Sequence, residues 1–178
     1  MSTLKVDRIL PTGGAPTDGG GGIIQVKTNT KTDTFSRNSS SGDFGDVSGL
    51  SLTFSPINST SRIYVIVDLN VGGHTGQRIW YRVKKVVSGG GTDYLARADA
   101  ADNRPRAAVT ISPLGGNSMQ YMGGVFVHVA GTTNAITYTV QGGAEQSQPF
   151  HVNRSNDDSN SVNVGRGRSS ITCLEVSA

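Results

Sequence analysis

Few side chains in this 178-residue chain could do chemistry, and their spacing argues against most of it. The three histidines, His74, His128 and His151, are far apart, with no HExxH, no His-x-His and no paired cysteines, so the donor set of a zinc site is missing. His74 sits in a glycine turn and reads as solvated. His128 falls on an expected strand and reads as a hydrogen-bonded structural residue, since no nucleophile motif lies near it. Cys173 is the one cysteine, which excludes an intrachain disulfide and a thiolate cluster; inside a strand pattern it reads as a small buried hydrophobe. The glycines at 19–22 lack the GK[ST] ending of a phosphate loop and precede a strand, so they read as linker. A depolymerase would need two carboxylates across a cleft, and the only glutamates, Glu145 and Glu175, fall in an expected loop and at a strand end. No catalytic residue, cofactor or metal is expected.

Two stretches stay open to a binding role. Asn156, Asp157 and Asp158 could offer oxygens to calcium, but their loop lacks the glycine and terminal glutamate of an EF-hand and reads as a solvated turn. Trp80 lies between Arg78 and Arg82 on an expected outer face, where it would stack on a sugar ring, anchor a protein interface or pack between subunits.

The elements that must position these residues are strands. Residues 62–71, RIYVIVDLNV, set Ile63, Val65, Val67, Leu69 and Val71 on one face and Arg62, Tyr64, Ile66, Asp68 and Asn70 on the other, a period that suits a central core strand and not a helix. Further strands are expected at 23–28, 33–36, 50–54, 77–87, 93–97, 106–112, 119–130 and 136–140, followed by short HVN and VNV strands and a closing strand from Ser169. A serine-rich loop spans 37–46 and a polar loop 141–148. In 119–130, Val125, Val127 and Val129 alternate with Phe126 and His128, so this strand is expected to be covered on both sides. Eight to ten short strands at even spacing, with 24 glycines, predict an all-β jelly-roll β-sandwich.

Residues 1–22 read as a short extended N-terminal arm and Gly/Pro linker, and 23–178 as one domain. Leu4, Val6, Ile9 and Leu10 stand among charges, too few to fold alone but enough to dock on another protein. Lys+Arg 16 against Asp+Glu 13, without a basic run, argues against nucleic acid. No signal peptide or membrane span is read, so a soluble chain made in a cytoplasm is expected.

Three stretches together carry a resemblance. MSTLKVDRILPTGGAP is similar to the heads of tail-fibre and related virion proteins of marine, especially cyanobacterial, bacteriophages. GGGIIQVKTNTKTDTFS with VSGLSLTFSPINSTSRIYVIVDLNVGG, and then HVNRSNDDSNSVNVGRGRSSITCLEV, resemble the opening and close of a module found in phage fibres. The resemblance implies a trimeric jelly roll of the tumour-necrosis-factor-like type, a virion knob, fibre tip or decoration. Its head would attach to other virion proteins through Leu4, Lys5, Val6, Asp7, Ile9 and Leu10. Its trimer would tuck one sheet against neighbouring copies, which makes Tyr64, Ile66, Tyr121 and Phe126 candidates for the oligomer contact. The absence of a repetitive shaft between head and module favours a short appendage. The alternative is an adhesin for host surface polysaccharide, with Trp80, Tyr94, Arg97, Asp99 and Arg104 as its first contact candidates.

Overall fold

A computed structural model of the chain describes residues 22–40, 42–95 and 97–177. These form eleven strands and no helix: β1 (Ile23–Lys31), β2 (Phe35–Asn38), β3 (Gly45–Phe54), β4 (Arg62–Gly73), β5 (Ile79–Val87), β6 (Thr92–Leu95), β7 (Val109–Ile111), β8 (Gln120–Val129), β9 (Ile136–Ala144), β10 (Pro149–Val152) and β11 (Ser169–Val176). β4 has the expected alternation: Ile63, Val65, Val67, Leu69 and Val71 are all fully buried, while Tyr64, Ile66, Asp68 and Asn70 are partly covered on the other face.

β4 is also the hub of the first sheet. Along one edge it pairs with β11 over Arg62 to Asp68 and with β10 over Val71 to Gly73; β8 takes its other edge from Arg62 to Val71. β1 extends the sheet beyond β11, and β2 beyond β10. The second sheet runs β3-β9-β5, and β6 and β7 share the far edge of β5. Every pairing is antiparallel. Four-stranded orders β1-β11-β4-β8 and β3-β9-β5-β6 are those of a jelly roll.

Between the sheets, Leu50, Leu52 and Phe54 of β3, Tyr81 and Val83 of β5 and Ile136, Tyr138 and Val140 of β9 meet the β4 row, Phe150, Ile171 and Cys173. Each such aliphatic or aromatic side chain contributes about 1.5–3 kcal/mol by leaving water.

Two expected elements differ. β9 continues to Ala144 where a polar loop was expected from Gln141, because Gly142 and Gly143 serve close packing, not a turn. A Cβ on Gly142 would run into the Phe150 ring, and one on Gly143 into the Asp43 carbonyl. The expected VNV strand is absent: residues 162–164 form a turn with Val162 fully exposed.

Glu175, fully buried on β11, holds the loop entering β4. Its carboxylate accepts hydrogen bonds from the Ile57 N–H at 2.9 Å, the Asn58 N–H at 3.0 Å and Gln25 Nε2 at 3.1 Å. Burial alone would raise the carboxyl's pKa; the bonds from Ile57, Asn58 and Gln25 outweigh it and hold it below the usual glutamate value. Since the folded carboxyl titrates lower than the unfolded one, its stabilisation is complete above the unfolded value and is lost as pH falls toward the folded one. Glu175→Ala is expected to cost about 1–3 kcal/mol at neutral pH by stranding these donors. In urea unfolding curves the gap to the unmodified chain should narrow as pH drops below 4.5, and a constant gap would contradict this account.

Candidate functional site

The two outer faces of the sandwich differ in chemistry. On the first sheet the strand registers align Val26, Leu174, Tyr64 and Val127 in one row, and Thr28, Thr172, Ile66 and Val125 in the next. Val176, Arg62 and Val129 complete the pattern at the sheet end. Four of the valines stand open to solvent: Val26 58%, Val125 58%, Val127 49% and Val129 59% exposed. Tyr121 is exposed and lies over Gly123. β8, ten residues long, has no strand on its outer edge among the described residues.

The second sheet's outer face is polar and bonded within itself. Thr53 pairs with Thr137 and Ser51 with Thr139, each hydroxyl pair at 3.0 Å. Lys84 and Gln141 donate to Asp46, and Arg82 Nε donates to Gln141. Burial opposes ionisation of Asp46, but the bonds from Lys84 and Gln141 prevail and hold its carboxyl below the usual range. The Arg82 guanidinium lies 3.9 Å from the Phe44 ring centroid and 3.8 Å from that of Tyr94.

Phe126 does not belong with the surface candidates. On β8 the odd positions 121, 125, 127 and 129 face out, and Phe126 is turned inward against Tyr81, their rings meeting edge to face at 6.3 Å. Two-residue alternation cannot place Tyr121 and Phe126 on one face. The residues missed were Val26, Val125, Val127, Val129 and Leu174. The β8 valines had a signal, their spacing, but it was read as two-sided cover.

Trp80 is likewise not the exposed aromatic expected. It is 3% exposed; Phe44 packs on it at 6.2 Å between centroids and its Nε1 donates to the Asp43 carbonyl at 3.1 Å. Its own chain covers it, because the segment leading into β3 folds back over β5. What remains of its edge floors a cavity of about 810 Å³, walled by Arg78, Asp102, Asn103, Arg104 and Glu145. Of the five residues expected to touch a receptor, the fold brings Trp80 and Arg104 together here. Tyr94 is stacked on Arg82, and Arg97 and Asp99 are exposed and line no part of the cavity. Arg78 pairs with Glu145 at 3.1 Å. Neither Asp102 nor Asn103 stood out in sequence, since such residues fill ordinary turns.

The VNRS segment is structural. Asn153 is buried with a left-handed φ of 62°; its Nδ2 donates to the Lys31 and Asp33 carbonyls, each at 2.9 Å, and its Oδ1 accepts from Ser169 Oγ at 2.7 Å. It thus ties the ends of β1, β10 and β11. Arg154 Nε donates to the Ser155 carbonyl, and the Asp158 carboxylate pairs with Arg154 at 3.3 Å and Arg166 at 2.7 Å. Asp157 Oδ1 accepts the Ser159 N–H and Asn156 Oδ1 lies 3.3 Å from His151 Nε2, so this loop's oxygens are engaged by protein groups. Asn153→Ala should destabilise by about 2–4 kcal/mol, three buried bonds plus an alanine in a left-handed conformation. Asp158→Ala, at the wet end of the same loop, should cost under about 1 kcal/mol; similar losses in chemical denaturation would contradict the assignment.

The histidines serve packing. His128 Nε2 lies 2.8 Å from the Tyr138 hydroxyl, His151 Nδ1 lies 2.8 Å from Ser36 Oγ, and His74 is exposed in its turn. Burial holds both His128 and His151 below the ordinary histidine range. Burial pushes the Cys173 thiol up to about 12, which leaves it unreactive. Among the described residues no group of His, Cys, Asp and Glu could hold a metal ion, and no helix is long and apolar enough to cross a membrane. Leu4, Lys5, Val6, Asp7, Ile9 and Leu10 lie outside the described residues.

The class that these strand orders define is the all-β jelly-roll sandwich. No family model and no curated protein matches the chain. Among solved structures it is similar to that of the infectious bursal disease virus Gx strain, at 13% identity and a TM-score of 0.44, over 100% of this chain and 43% of that one. It is also similar to the D431N mutant VP2 protein of the same virus in derived T=1 particles, at 14% identity and a TM-score of 0.41, over 100% of this chain and 41% of that one. The chain therefore spans about two fifths of the solved chains it matches. At this level the likeness assigns neither a family nor an activity.

Proposed function

We propose that the chain is a non-enzymatic structural protein of a bacteriophage particle, a short trimeric knob or fibre held to the virion by its N-terminal arm. The observation that carries the reading is the contrast between the two outer faces: one polar and bonded within itself, the other bearing a cluster of Val26, Leu174, Tyr64, Ile66, Val125, Val127 and Val129, bordered by Arg62 and the Thr28–Thr172 hydroxyl pair. A long edge strand with outward valines, such as β8, invites pairing or aggregation unless it is covered.

The occupant that fits is a second copy of the chain. Each copy carries an apolar cluster on one sheet face and, beside it, the edge strand β8, unpaired on its outer side among the described residues and bearing outward valines, so the edge of one can pack on the face of the next. Such a contact is heterologous, and when its rotation closes it makes a ring. A ring of three is what the tumour-necrosis-factor-like resemblance implies. The same resemblance supports the virion setting, and the arm residues Leu4 to Leu10 with the glycine-rich linker suit a tether to other virion proteins.

Sedimentation at micromolar concentration should return the mass of a trimer, and a strict monomer would sink the reading. Ile66→Asp and Val127→Asp should dissociate it with little loss of monomer stability, whereas Val67→Asp should unfold the domain. Equal damage from Ile66→Asp and Val67→Asp would contradict the assignment of faces. Deleting residues 1–14 should abolish incorporation into particles and leave the melting temperature of the domain unchanged; normal incorporation would refute the anchor.

A further inference from the structure

The cavity floored by Trp80 belongs to the second sheet and is separate from the apolar face. We propose that it binds a neutral saccharide unit. Its volume of about 810 Å³ falls in the range of small-molecule sites, roughly 300–1,000 Å³. The lining places two guanidinium groups, Arg78 and Arg104, against two carboxylates, Asp102 and Glu145, so its formal charge cancels. An anion would meet both carboxylates and a cation both guanidiniums. A sugar hydroxyl donates and accepts at once, and here finds acceptors in Asp102 and Glu145, donors in Arg78 and Arg104, and both in the Asn103 amide. Pro105 supplies apolar surface for the C–H groups of a ring, with only a narrow rim of the buried Trp80 beneath it.

The turn that bears the wall is closed, while its side chains stay free. Among the described residues, the side chains of Asp102, Asn103 and Arg104 make no hydrogen bond or ion pair, and all three residues are exposed. The turn that presents them is closed by the Arg104 N–H on the Ala101 carbonyl at 3.0 Å. It keeps Asp102 at a φ of 46°, a left-handed conformation uncommon for a residue with a side chain. Opposite, the Glu145 N–H donates to the Arg78 carbonyl at 3.0 Å and Trp80 Nε1 donates to the Asp43 carbonyl, which ties the far wall and floor to the sheet.

Trp80 is the chain's one tryptophan, and its emission reports on the cavity directly. The full chain is screened on an array of neutral and acidic oligosaccharides, and each binder is then titrated against tryptophan emission. The expected result is a saturable emission change with a neutral saccharide, weakened about tenfold by Arg104→Ala and by Asn103→Ala, the loss of about one ligand hydrogen bond each. Melting temperatures should not move, because neither side chain bonds to the fold. No binding by any neutral saccharide, binding of acidic ones alone, or binding that Arg104→Ala leaves at full strength would overturn the proposal. Oligomer mass is read from the same samples, so failure here is distinguishable from failure of the trimer.

Discussion

The pairing of β4 on both edges is the constraint on which the first sheet depends. β11 and β10 take their positions on one edge and β8 on the other, and β1 and β2 are placed only through them. Because side chains alternate with period two, the register of β4 decides at once which residues of its neighbours are buried. Ile63, Val65, Val67, Leu69 and Val71 go to the core, and Tyr64 and Ile66 are aligned with Val127 and Val125 on the outside. A slip of one residue would exchange the two sets.

Buried polar groups secure the places where strands end. Glu175 gathers the backbone donors of the loop before β4, and Asn153 joins the ends of β1, β10 and β11 from a left-handed position. Both are expensive to bury unless every bond is made, so they confer specificity on the loops around them. The VNRS segment near the chain end is, in large part, this lock. Gly72 belongs to it, since a Cβ there would meet the Arg154 carbonyl. The exposed valines of the first sheet and the polar groups around Trp80 stand apart from it.

Much of the fold was legible because hydrophobic alternation is a local signal. The β4 row, Leu50, Leu52 and Phe54, and the burial of Cys173 all follow from spacing and residue type. The candidate sites were less legible. Phe126 and the valines beside it share a strand in which both faces are apolar, and alternation alone does not say which is inside. Trp80 alternates with buried residues, which predicts its direction correctly but not the fold-back of the Phe44 segment that covers it. Gly142 and Gly143 carry the composition of a turn, while their role depends on Phe150 and Asp43, distant in sequence.

By itself, then, the sequence determined an all-β sandwich and the division of its central strand into a core face and an outer one, because side-chain direction along a strand depends only on neighbours in the chain. Only the tertiary structure decided that the outer face of β4 continues across β1, β11 and β8, and that Arg78, Asp102, Asn103, Arg104 and Glu145 line one open pocket. Those groupings arise from antiparallel pairings and loop returns that join residues far apart in the chain, and no local period encodes them.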